Sequence, residues 1–482
     1  MTSSPDSSSP TGDVFNELQA ILGSRVTAAR AVREHHGKDE SYHPPALPDF
    51  VAFPHTTDEV SRLTAVCAAR GMPMVPFGVG TSLEGHVLPV CGGVSIDMSQ
   101  MNRIVSVNVG DLDAVVEAGV TRTQLTHHLR NTGLTFFVDP GADATLGGMA
   151  ACGASGTTAV RYGTMRQNVL GLTVVLADGR IIRTGGHARK SSAGYDLTRL
   201  FVGSEGTLGI ITELILRLHP QPEAIAAAVC AFDSMQGAVQ TVISTIQLGI
   251  GVARIELLDE AQMDAVNRYS RLDHPVAPTL FFEFHGTSDD HLTEQANVVQ
   301  ALATEHGGAG FDWVLRPEDR ARLWKARHDA YYAALALRPG SQALTTDVCV
   351  PVSRLADCIV ETQKDTAGSF LKSTLVGHVG DGNFHVLFLI DPSKAQEVEE
   401  ARRLSDRIVV RALEMGGTCT GEHGVGFGKL PFMAREHGEA WDVMGAIKAA
   451  LDPANLLNPG KVVPWPAKGR AGEPLSAAPA RL

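Results

Sequence analysis

The sequence lacks the cysteine spacing of a metal-stabilised or disulfide-stabilised module. Its seven cysteines are an odd number in 482 residues, and no two of them form a C-x-x-C motif. A disulfide framework or a structural zinc module depends on paired, regularly spaced cysteines. Both kinds of module are therefore excluded, and a reducing compartment is expected.

Basic residues are also scarce. The chain has 41 Lys and Arg against 53 Asp and Glu, which gives a formal net charge of -12. Binding of nucleic acid needs a concentrated basic face, and no block of Lys or Arg is present, so we expect no nucleic-acid partner. An anionic small molecule stays compatible with this charge, because a few arginines inside a pocket create a local positive field.

Long apolar runs are absent as well. A helix that spans a bilayer needs ~20 apolar residues, whereas the longest obvious apolar stretch, Ala224 to Phe232, suits a buried strand. The first dozen residues are rich in Ser and Pro and contain no arginine, unlike a secretory signal or an organellar presequence. The sequence therefore predicts a cytoplasmic protein without a transmembrane segment, and leaves peripheral association with the inner membrane open.

What the chain does contain is typical of a packed protein of enzyme size. Hydrophobic residues make up 44% and charged residues 20% of the sequence, and the length suits two cores. Two prolines in the segment 219–222 should end a strand, so we place a domain boundary there. The predicted segments are a tail and helix at 1–43, an α+β domain at 44–222, a second α+β domain at 223–461 and a disordered tail at 462–482.

Periodicity predicts several individual elements. Thr57–Arg70 should be a helix, because it opens on a Thr-Thr-Asp cap and is followed by a glycine. A single helix is predicted over Pro317–Leu337. Strands over 227–232, 254–258 and 279–284 should form an antiparallel sheet that carries helices on one face, followed by a helical C-terminal segment.

Glycine-rich loops are unusually dense in the first half of the chain. The loop from Pro76 to Gly85 follows an apolar strand, but it has neither the G-x-G-x-x-G nor the Walker A spacing. Further glycine-rich segments follow at 139–142, 147–156, 161–163 and 203–209. Any one of them alone could be an ordinary turn. Together they indicate a cradle for a long ligand with a pyrophosphate, because small residues leave backbone N–H groups exposed.

In order and spacing, these loops resemble the FAD-binding domain of the vanillyl-alcohol oxidase and p-cresol methylhydroxylase (PCMH-type) superfamily. The resemblance implies a two-subdomain α+β domain, and noncovalent FAD is expected because no His or Cys is clearly placed for attachment. The residues that the resemblance places on FAD are Pro76, Gly78, Gly80, Thr81, Ser82, Gly85, Pro140, Gly141, Gly147, Gly148, Ala151, Gly153, Ser155, Gly156, Gly163, Arg166, Glu205, Gly206, Gly209, Ile210 and Asn458. The sequence departs from the pattern at His86, where glycine is usual, and at Cys152, where a hydroxyl residue is common.

Two motifs in the second half predict a metal site. GHVGDGNFH places His378 and His385 on either side of a tight turn, and GEHG supplies Glu422. Two imidazoles and a carboxylate suit zinc, manganese or iron(II) and leave a coordination position open. The alternative is a set of hydrogen-bonded structural side chains. Within the turn, Asp381 is interpreted as a turn residue and Asn383 as a contact of the substrate or of the metal ligands.

These motifs, with TDVCVP at 346–351, resemble the C-terminal domain of FAD-linked 2-hydroxy acid dehydrogenases, in particular the cytochrome-linked type that oxidises D-lactate. The resemblance implies a short D-2-hydroxy acid substrate and an electron acceptor such as a cytochrome, a quinone or an electron-transfer flavoprotein. A glycolate or D-2-hydroxyglutarate dehydrogenase, a metal-free flavin oxidase and a non-catalytic flavin module stay open, and so does a homodimer.

The expected chemistry assigns four further residues. His423 is the candidate base, because it lies beside Glu422 and is not needed to complete the metal set. The resemblance implies that Arg327 holds the substrate carboxylate and that Trp324 bounds the pocket. Asn383, as a contact of the substrate or of the metal ligands, completes the catalytic set. A structural loop histidine and a surface ion pair are the alternatives for His423 and Arg327.

Overall fold

The computed structural model describes residues 10–463. Residues 1–9 and 464–482, which include most of the two predicted tails, lie outside the described part. The tail predicted to begin at 462 begins too early, because Val463 is buried, with 6% exposure. The packed chain therefore extends at least to Val463.

Helices are spread over the whole described chain. They are α1 (Pro10–Leu22), α2 (Arg30–His35), α3 (Thr57–Arg70), α4 (Arg122–Leu129), α5 (Leu146–Cys152), α6 (Ala159–Tyr162), α7 (Met165–Asn168), α8 (Leu197–Phe201), α9 (Met235–Gln247), α10 (Glu260–Ser270), α11 (Asp289–Glu305), α12 (Pro317–His328), α13 (Ala330–Ala336), α14 (Leu355–Ala367), α15 (Ala395–Glu414), α16 (Leu430–His437) and α17 (Glu439–Leu451). The predicted bounds of α3 are confirmed: the Thr56 hydroxyl accepts from the backbone N–H of Glu59, and Gly71 ends the helix with a φ of 63°.

The strands alternate with these helices. They are β1 (Val26–Thr27), β2 (Phe50–Ala52), β3 (Met74–Phe77), β4 (Val94–Asp97), β5 (Ile104–Asn108), β6 (Asp113–Glu117), β7 (Leu134–Thr135), β8 (Val169–Val175), β9 (Ile181–Gly185), β10 (Ile210–Arg217), β11 (His219–Pro220), β12 (Ala224–Phe232), β13 (Val252–Leu258), β14 (Thr279–Gly286), β15 (Gly308–Val314), β16 (Gln342–Thr345), β17 (Val348–Cys349), β18 (Lys372–His378) and β19 (Asn383–Ile390). Each strand predicted for the second sheet is present and extends slightly beyond its expected bounds.

The first half of the chain builds two larger sheets around one apolar core, and β7 and β11 form a separate two-stranded sheet. Strands β2, β4 and β3 pair in parallel, and β1 adds an antiparallel edge. The second sheet is antiparallel in the order β5-β6-β10-β8-β9. Side chains from both sheets and from α1, α3 and α5 share the core. The predicted α+β class with two subdomains is confirmed.

The second half forms an eight-stranded antiparallel sheet. Its path is β15-β12-β14-β13-β18-β19-β16, and β17 pairs with β19. Helices α9, α11, α14 and α15 cover one face, and α10, α12 and α13 cover the other. The prediction of helices on one face is wrong, because Phe281 and Phe282 are both fully buried. Successive strand residues point to opposite faces, so both faces are apolar and need a cover.

The long helix predicted over Pro317–Leu337 is wrong, because it is two helices. The chain divides at Asp329, between α12 and α13. The carboxylate of Asp329 accepts hydrogen bonds from Ser270 of α10 and from Lys325. These bonds anchor the junction on the neighbouring helix, which periodicity within one segment does not reveal.

The C-terminal segment returns to the first core. Leu456 and Leu457 belong to that core, and Leu457 forms an isolated parallel bridge with Met74 of β3. The buried ammonium of Lys448 donates to the carbonyl of Thr207. Residues after α16 therefore bind the two halves of the chain together beside the loops that follow β3.

Candidate active site

A cavity of about 80 Å³ lies among the glycine-rich loops of the first half. Its wall combines the loop after β3, the first turns of α5 and the beginning of β10. The lining residues are Pro76, Phe77, Gly78, His86, Val87, Met98, Ala118, Thr145, Gly147, Gly148, Ala151, Cys152, Glu205, Gly206, Gly209, Ile211 and Asn458.

Glycine is required at two points of this wall. A Cβ on Gly78 would lie 2.4 Å from the hydroxyl of Thr145, and a Cβ on Gly209 would lie 2.4 Å from a methyl carbon of Val174. Within residues 10–463, the backbone N–H groups of residues 79–83 have no protein acceptor. Consecutive free N–H groups form a cradle for phosphate oxygens, so the cavity fits the pyrophosphate of a dinucleotide.

Nine of the residues predicted for FAD line the cavity. They are Pro76, Gly78, Gly147, Gly148, Ala151, Glu205, Gly206, Gly209 and Asn458. Ile210 does not line it, because Ile210 points into the apolar core. Strand side chains alternate between faces, and Ile211 takes the place in the wall. The assignment of Ile210 to FAD stays a prediction, and Ile211 is a second candidate beside it.

The other predicted cofactor residues shape the loops or lie outside the wall. Those that are not in its lining are Gly80, Thr81, Ser82, Gly85, Pro140, Gly141, Gly153, Ser155, Gly156, Gly163 and Arg166. Gly153 and Gly163 end α5 and α6 with positive φ values, and the Ser82 hydroxyl donates to Asp39. The side chain of Arg166 is exposed, so it is placed as a surface residue.

Several lining residues carry no local sequence signal. Met98 and Ala118 come from other parts of the fold, and only the assembled core brings them to the cavity. His86 was visible as a departure from the glycine pattern. Its ring is buried, neither nitrogen has a hydrogen-bond partner among the described residues, and Nε2 lies 3.4 Å from Oε1 of Glu205.

Glu205 connects the cavity to the loop that carries Glu422 and His423. Its carboxylate accepts from the backbone N–H groups of Val425, at 2.6 Å, and Gly426, at 2.8 Å. A residue that lines the cofactor cavity thus holds the loop 421–426 in place. Its predicted contact with FAD is one part of a larger role.

The predicted metal ligands meet at one point. Strands β18 and β19 carry His378 and His385, whose Nε2 atoms lie 3.1 Å and 3.3 Å from Oε1 of Glu422. Nδ1 of His378 donates to Glu256 at 2.8 Å, and Nδ1 of His385 donates to the carbonyl of Thr346 at 3.0 Å. With Nδ1 protonated, both Nε2 atoms are available as ligands.

These atoms fit a divalent cation. Two Nε2 lone pairs face one carboxylate oxygen, which is repulsive unless a proton or a cation lies between them. Burial lowers the pKa of His378, but the carboxylates of Glu256 and Glu422 outweigh it and raise that pKa well above its ordinary value. A tetrahedral ion with bonds of ~2.1 Å separates its donors by about 3.4 Å, close to the distances found. Zinc, manganese and iron(II) suit this donor set.

Asp347 organises the loop after α15 and was not predicted as a site residue. Its buried carboxylate accepts from the backbone N–H groups of Glu422, at 2.9 Å, and His423, at 2.8 Å. It also accepts from the Asn383 amide at 2.8 Å. Burial opposes its ionisation, yet His423 and His385 hold its pKa well below the ordinary range. Asn383 thus contacts Asp347, the residue that holds the backbone of the predicted ligand Glu422. The Oδ1 atom of Asn383 has no partner among the described residues.

His423 is positioned as a neutral imidazole. Its ring stacks on His385 with centroids 4.9 Å apart and an interplanar angle of 11°. Burial lowers the pKa of His423 to about 4, and its Nδ1 is buried without a partner in the described chain. A Cβ on the next residue, Gly424, would lie 2.5 Å from Nε2 of His86. His423 is therefore close to the cofactor cavity as well as to the metal ligands.

Arg327 and Trp324 lie on α12 above the same face of the sheet. Nε of Arg327 donates to Glu256 at 2.7 Å, and its side chain is only 15% exposed. The alternative of a surface ion pair is therefore wrong. Nη1 and Nη2 have no partner within residues 10–463, so the end of the guanidinium is free. Trp324 is 3% exposed, and the guanidinium of Arg254 lies 5.2 Å from its ring centroid.

Two family models match this chain. Residues 48–185 match an FAD binding domain, and residues 221–462 match the C-terminal domain of FAD linked oxidases. The chain belongs to the FAD-linked oxidases. FAD is therefore the cofactor of this chain, as predicted, and its placement in the cavity stays a prediction.

Sequence relatives of this FAD-linked oxidase span almost the whole chain. A probable mitochondrial D-lactate dehydrogenase of Danio rerio is 51% identical over 93% of this chain and 91% of its own length. The mitochondrial D-lactate dehydrogenase [cytochrome] of Arabidopsis thaliana is 46% identical over 94% of this chain and 80% of its own. Glycolate oxidase subunit GlcD of Bacillus subtilis is 35% identical over 95% and 98%.

Solved structures confirm the fold of the oxidase. A 4-ethylphenol oxidase from Gulosibacter chungangensis superposes with a TM-score of 0.78, at 19% identity, over 97% of this chain and 99% of its own. A p-cresol methylhydroxylase gives 0.77, at 18% identity, over 94% and 96%. The predicted PCMH-type architecture is therefore confirmed.

Membrane insertion through a helix finds no support in the described part of the oxidase. Between residues 10 and 463, each helix is too short or too polar to cross a bilayer.

Proposed function

We propose that this FAD-linked oxidase oxidises D-lactate to pyruvate, with a divalent metal ion held by His378, His385 and Glu422. The observation that carries the proposal is the arrangement around this set: the imidazole of His423 stacks on one ligand, and Arg327 is tied through Glu256 to another. Relatives named D-lactate dehydrogenase, at 51% and 46% identity, support the substrate.

Each step of the reaction has a residue suited to it. When bound, FAD supplies the hydride acceptor, and the metal supplies a Lewis acid that makes the substrate hydroxyl more acidic. The free Nη1 and Nη2 of Arg327 hold the substrate carboxylate as a fork. Neutral His423 takes the hydroxyl proton on Nδ1, and Asp347 keeps the His423 loop in place through its backbone N–H bonds.

The charges around the site favour a monocarboxylate. The neighbouring Arg254 is already paired with Asp139, at 3.1 Å, and with Glu283, at 3.4 Å. It therefore offers no free fork to a second carboxylate. This favours D-lactate over D-2-hydroxyglutarate, while glycolate, suggested by the Bacillus subtilis relative, is the second candidate.

The proposal also includes an electron acceptor, which is a cytochrome, a quinone or an electron-transfer flavoprotein. The names of the Arabidopsis thaliana and Saccharomyces cerevisiae relatives include the word cytochrome. A cytoplasmic location, peripheral membrane contact and a homodimer stay predictions, and both of these relatives are named mitochondrial.

The test is reduction of the purified, FAD-loaded protein under anaerobic conditions. D-lactate, L-lactate, glycolate and D-2-hydroxyglutarate are added separately, and bleaching of the flavin absorbance is followed by stopped flow, with and without a metal chelator. We expect fast bleaching by D-lactate, little by L-lactate, and loss of the fast phase after chelation and its return with Zn²⁺ or Mn²⁺.

Other results would change specific parts of the proposal. Bleaching by glycolate alone would keep the chemistry and replace the substrate. Bleaching that survives complete removal of metal would return His378, His385 and Glu422 to structural roles and support a metal-free oxidase.

A further inference from the structure

Glu256 is a fully buried carboxylate that the proposed reaction does not use directly. It lies on β13 with 0% exposure. The neighbouring register pairs Leu258 with Val376 and Leu257 with Gly377, so the next antiparallel step brings Glu256 opposite His378. The Glu256 side chain therefore lies beside His378 on the same face of the sheet and contacts this predicted metal ligand.

Both oxygens of this carboxylate are engaged. Oε1 and Oε2 accept from Nδ1 of His378 at 2.8 Å and 2.9 Å. Oε2 also accepts from Nε of Arg327 at 2.7 Å. One side chain thus contacts a metal ligand and the carboxylate clamp, which come from β18 and α12.

A carboxylate buried at this position must be stabilised by its neighbours, because burying it without partners is costly. His378 and Arg327 supply those partners, at 2.8 Å and 2.7 Å from the Glu256 carboxylate. With its oxygens committed to these donors, Glu256 is poorly placed to accept a substrate proton. Its contacts suit orientation of other groups.

We infer that Glu256 is a shared positioning residue, which fixes the His378 imidazole for the metal and the Arg327 fork for the substrate carboxylate. This inference rests on the proposed function and adds a residue to it. Accepting the Nδ1 proton leaves Nε2 of His378 as the ligand atom, and makes the imidazole a better donor. Holding Nε of Arg327 leaves both Nη groups for the substrate.

The two halves of the site are therefore coupled through one side chain. Without the Glu256 charge, the His378 ring can rotate or change tautomer, and the Arg327 side chain loses its anchor. We expect a change at Glu256 to weaken metal binding and substrate binding together. A change at Arg327 should affect substrate binding only.

The test compares E256Q with E283Q in the full-length, FAD-loaded protein. Glu283 is a matched control, because it is also a buried carboxylate on this sheet, on the next strand β14, and it pairs with Arg254 and His285 rather than with a metal ligand. The Kd for Zn²⁺ is measured by chelator competition, and KM and kcat are measured for D-lactate with metal in excess.

We expect E256Q to weaken Zn²⁺ binding by about 10- to 100-fold and to raise KM for D-lactate more than it lowers kcat. E283Q should leave the Kd for Zn²⁺ within about twofold of wild type. E256D, which keeps the charge on a shorter stem, should recover part of the Zn²⁺ affinity.

An E256Q protein that binds Zn²⁺ like wild type would overturn the inference. If E256Q does not fold, E256D decides the question: wild-type Kd and KM in E256D would also overturn it, since the shorter stem breaks at least one of the two contacts. A wild-type protein that binds no metal would instead count against the proposed function, so the two failures are distinguishable.

Discussion

At the residue scale, the proposed function gives different roles to two stacked imidazoles, those of His385 and His423. Nε2 of His385 faces Glu422, whereas Nδ1 of His423 has no partner among the described residues. Both residues are histidines, so their proposed roles differ because of where they lie: His385 on β19 faces Glu422 as a ligand, and His423 in the loop 421–426 is the base.

We predict that H423N lowers kcat by about 10²- to 10⁴-fold, because a general base is lost. Zn²⁺ content should be unchanged, since the ligand set is intact. Stopped-flow flavin reduction and elemental analysis check both parts. H385N is the contrast, and it should lose metal as well as activity; metal loss in H423N would make His423 a ligand.

R327K should raise KM for D-lactate by about 10- to 100-fold with a smaller effect on kcat. Lysine is a point charge and does not reproduce the two-pronged guanidinium contact. R322K is the control, because Arg322 lies on the same helix, is exposed and pairs with Asp319. Steady-state kinetics over a range of D-lactate concentrations measures the effect, and equal KM values in the two variants would remove Arg327 from substrate binding.

At the element scale, α10 begins on a buried acid. Asp259 caps the helix by accepting from the backbone N–H of Gln262 at 2.8 Å. Burial raises the pKa of Asp259 from 3.8 to about 7. The folded protein therefore prefers protonated Asp259, and this group costs stability progressively as the pH rises from about 4 to 7.

D259N should remove that cost while keeping a cap, since Asn is an equally good N-cap. Relative to wild type, we expect the variant to gain about 3 kcal/mol in free energy of unfolding between pH 4 and pH 8. Urea unfolding at both values measures it. D196N, at the exposed cap of α8, should show no comparable gain, and a pH-independent difference in D259N would contradict the assigned pKa.

Local elements were predictable where one segment carries its own signal. The cap and the glycine stop of α3 lie within the segment, and the GHVGDGNFH motif contains both strands' ends and the turn between His378 and His385. The faces of the second sheet were not predictable in this way. Which residues cover Phe281 and Phe282 depends on helices that are distant in sequence.

The same reason explains the missed site residues. Glu256 reads as one acid in an apolar strand, and only pairing with β18 shows what it contacts. Asp347 belongs to a quoted motif, yet its role depends on the backbone of a loop that begins more than 70 residues later. Sequence motifs thus predicted the ligands but not the carboxylates that hold them.

At the scale of the whole molecule, the C-terminal segment fastens the two halves together. Lys448 is buried and donates to Thr207, Asp452 and Leu457. The domain boundary that we predicted from the prolines near residue 222 does not show that the C-terminal segment packs against the first half of the chain. The domain limits at 44–222 and 223–461 therefore stay a proposal.

K448M should lower the free energy of unfolding by about 3–5 kcal/mol, because it leaves the Asp452 carboxylate buried without its cation. K364M is the control: Lys364 is 68% exposed and, within residues 10–463, pairs only with Glu361, so its loss should cost no more than about 1 kcal/mol. Urea unfolding of the FAD-loaded proteins measures the difference. Similar values for the two variants would contradict a fastening role for the segment.

The contacts of Glu205 have a consequence for assembly. This residue lines the cofactor cavity and holds the backbone of the loop that carries Glu422. A ligand that binds in the cavity and orders Glu205 lowers the entropic cost of ordering the loop 421–426, and the reverse also holds. We therefore expect FAD binding and metal binding at the proposed His378 set to be positively cooperative, and thermodynamic reciprocity makes the factor the same in both directions. The holoprotein would then form by coupled binding of FAD and the metal ion rather than by two independent binding steps.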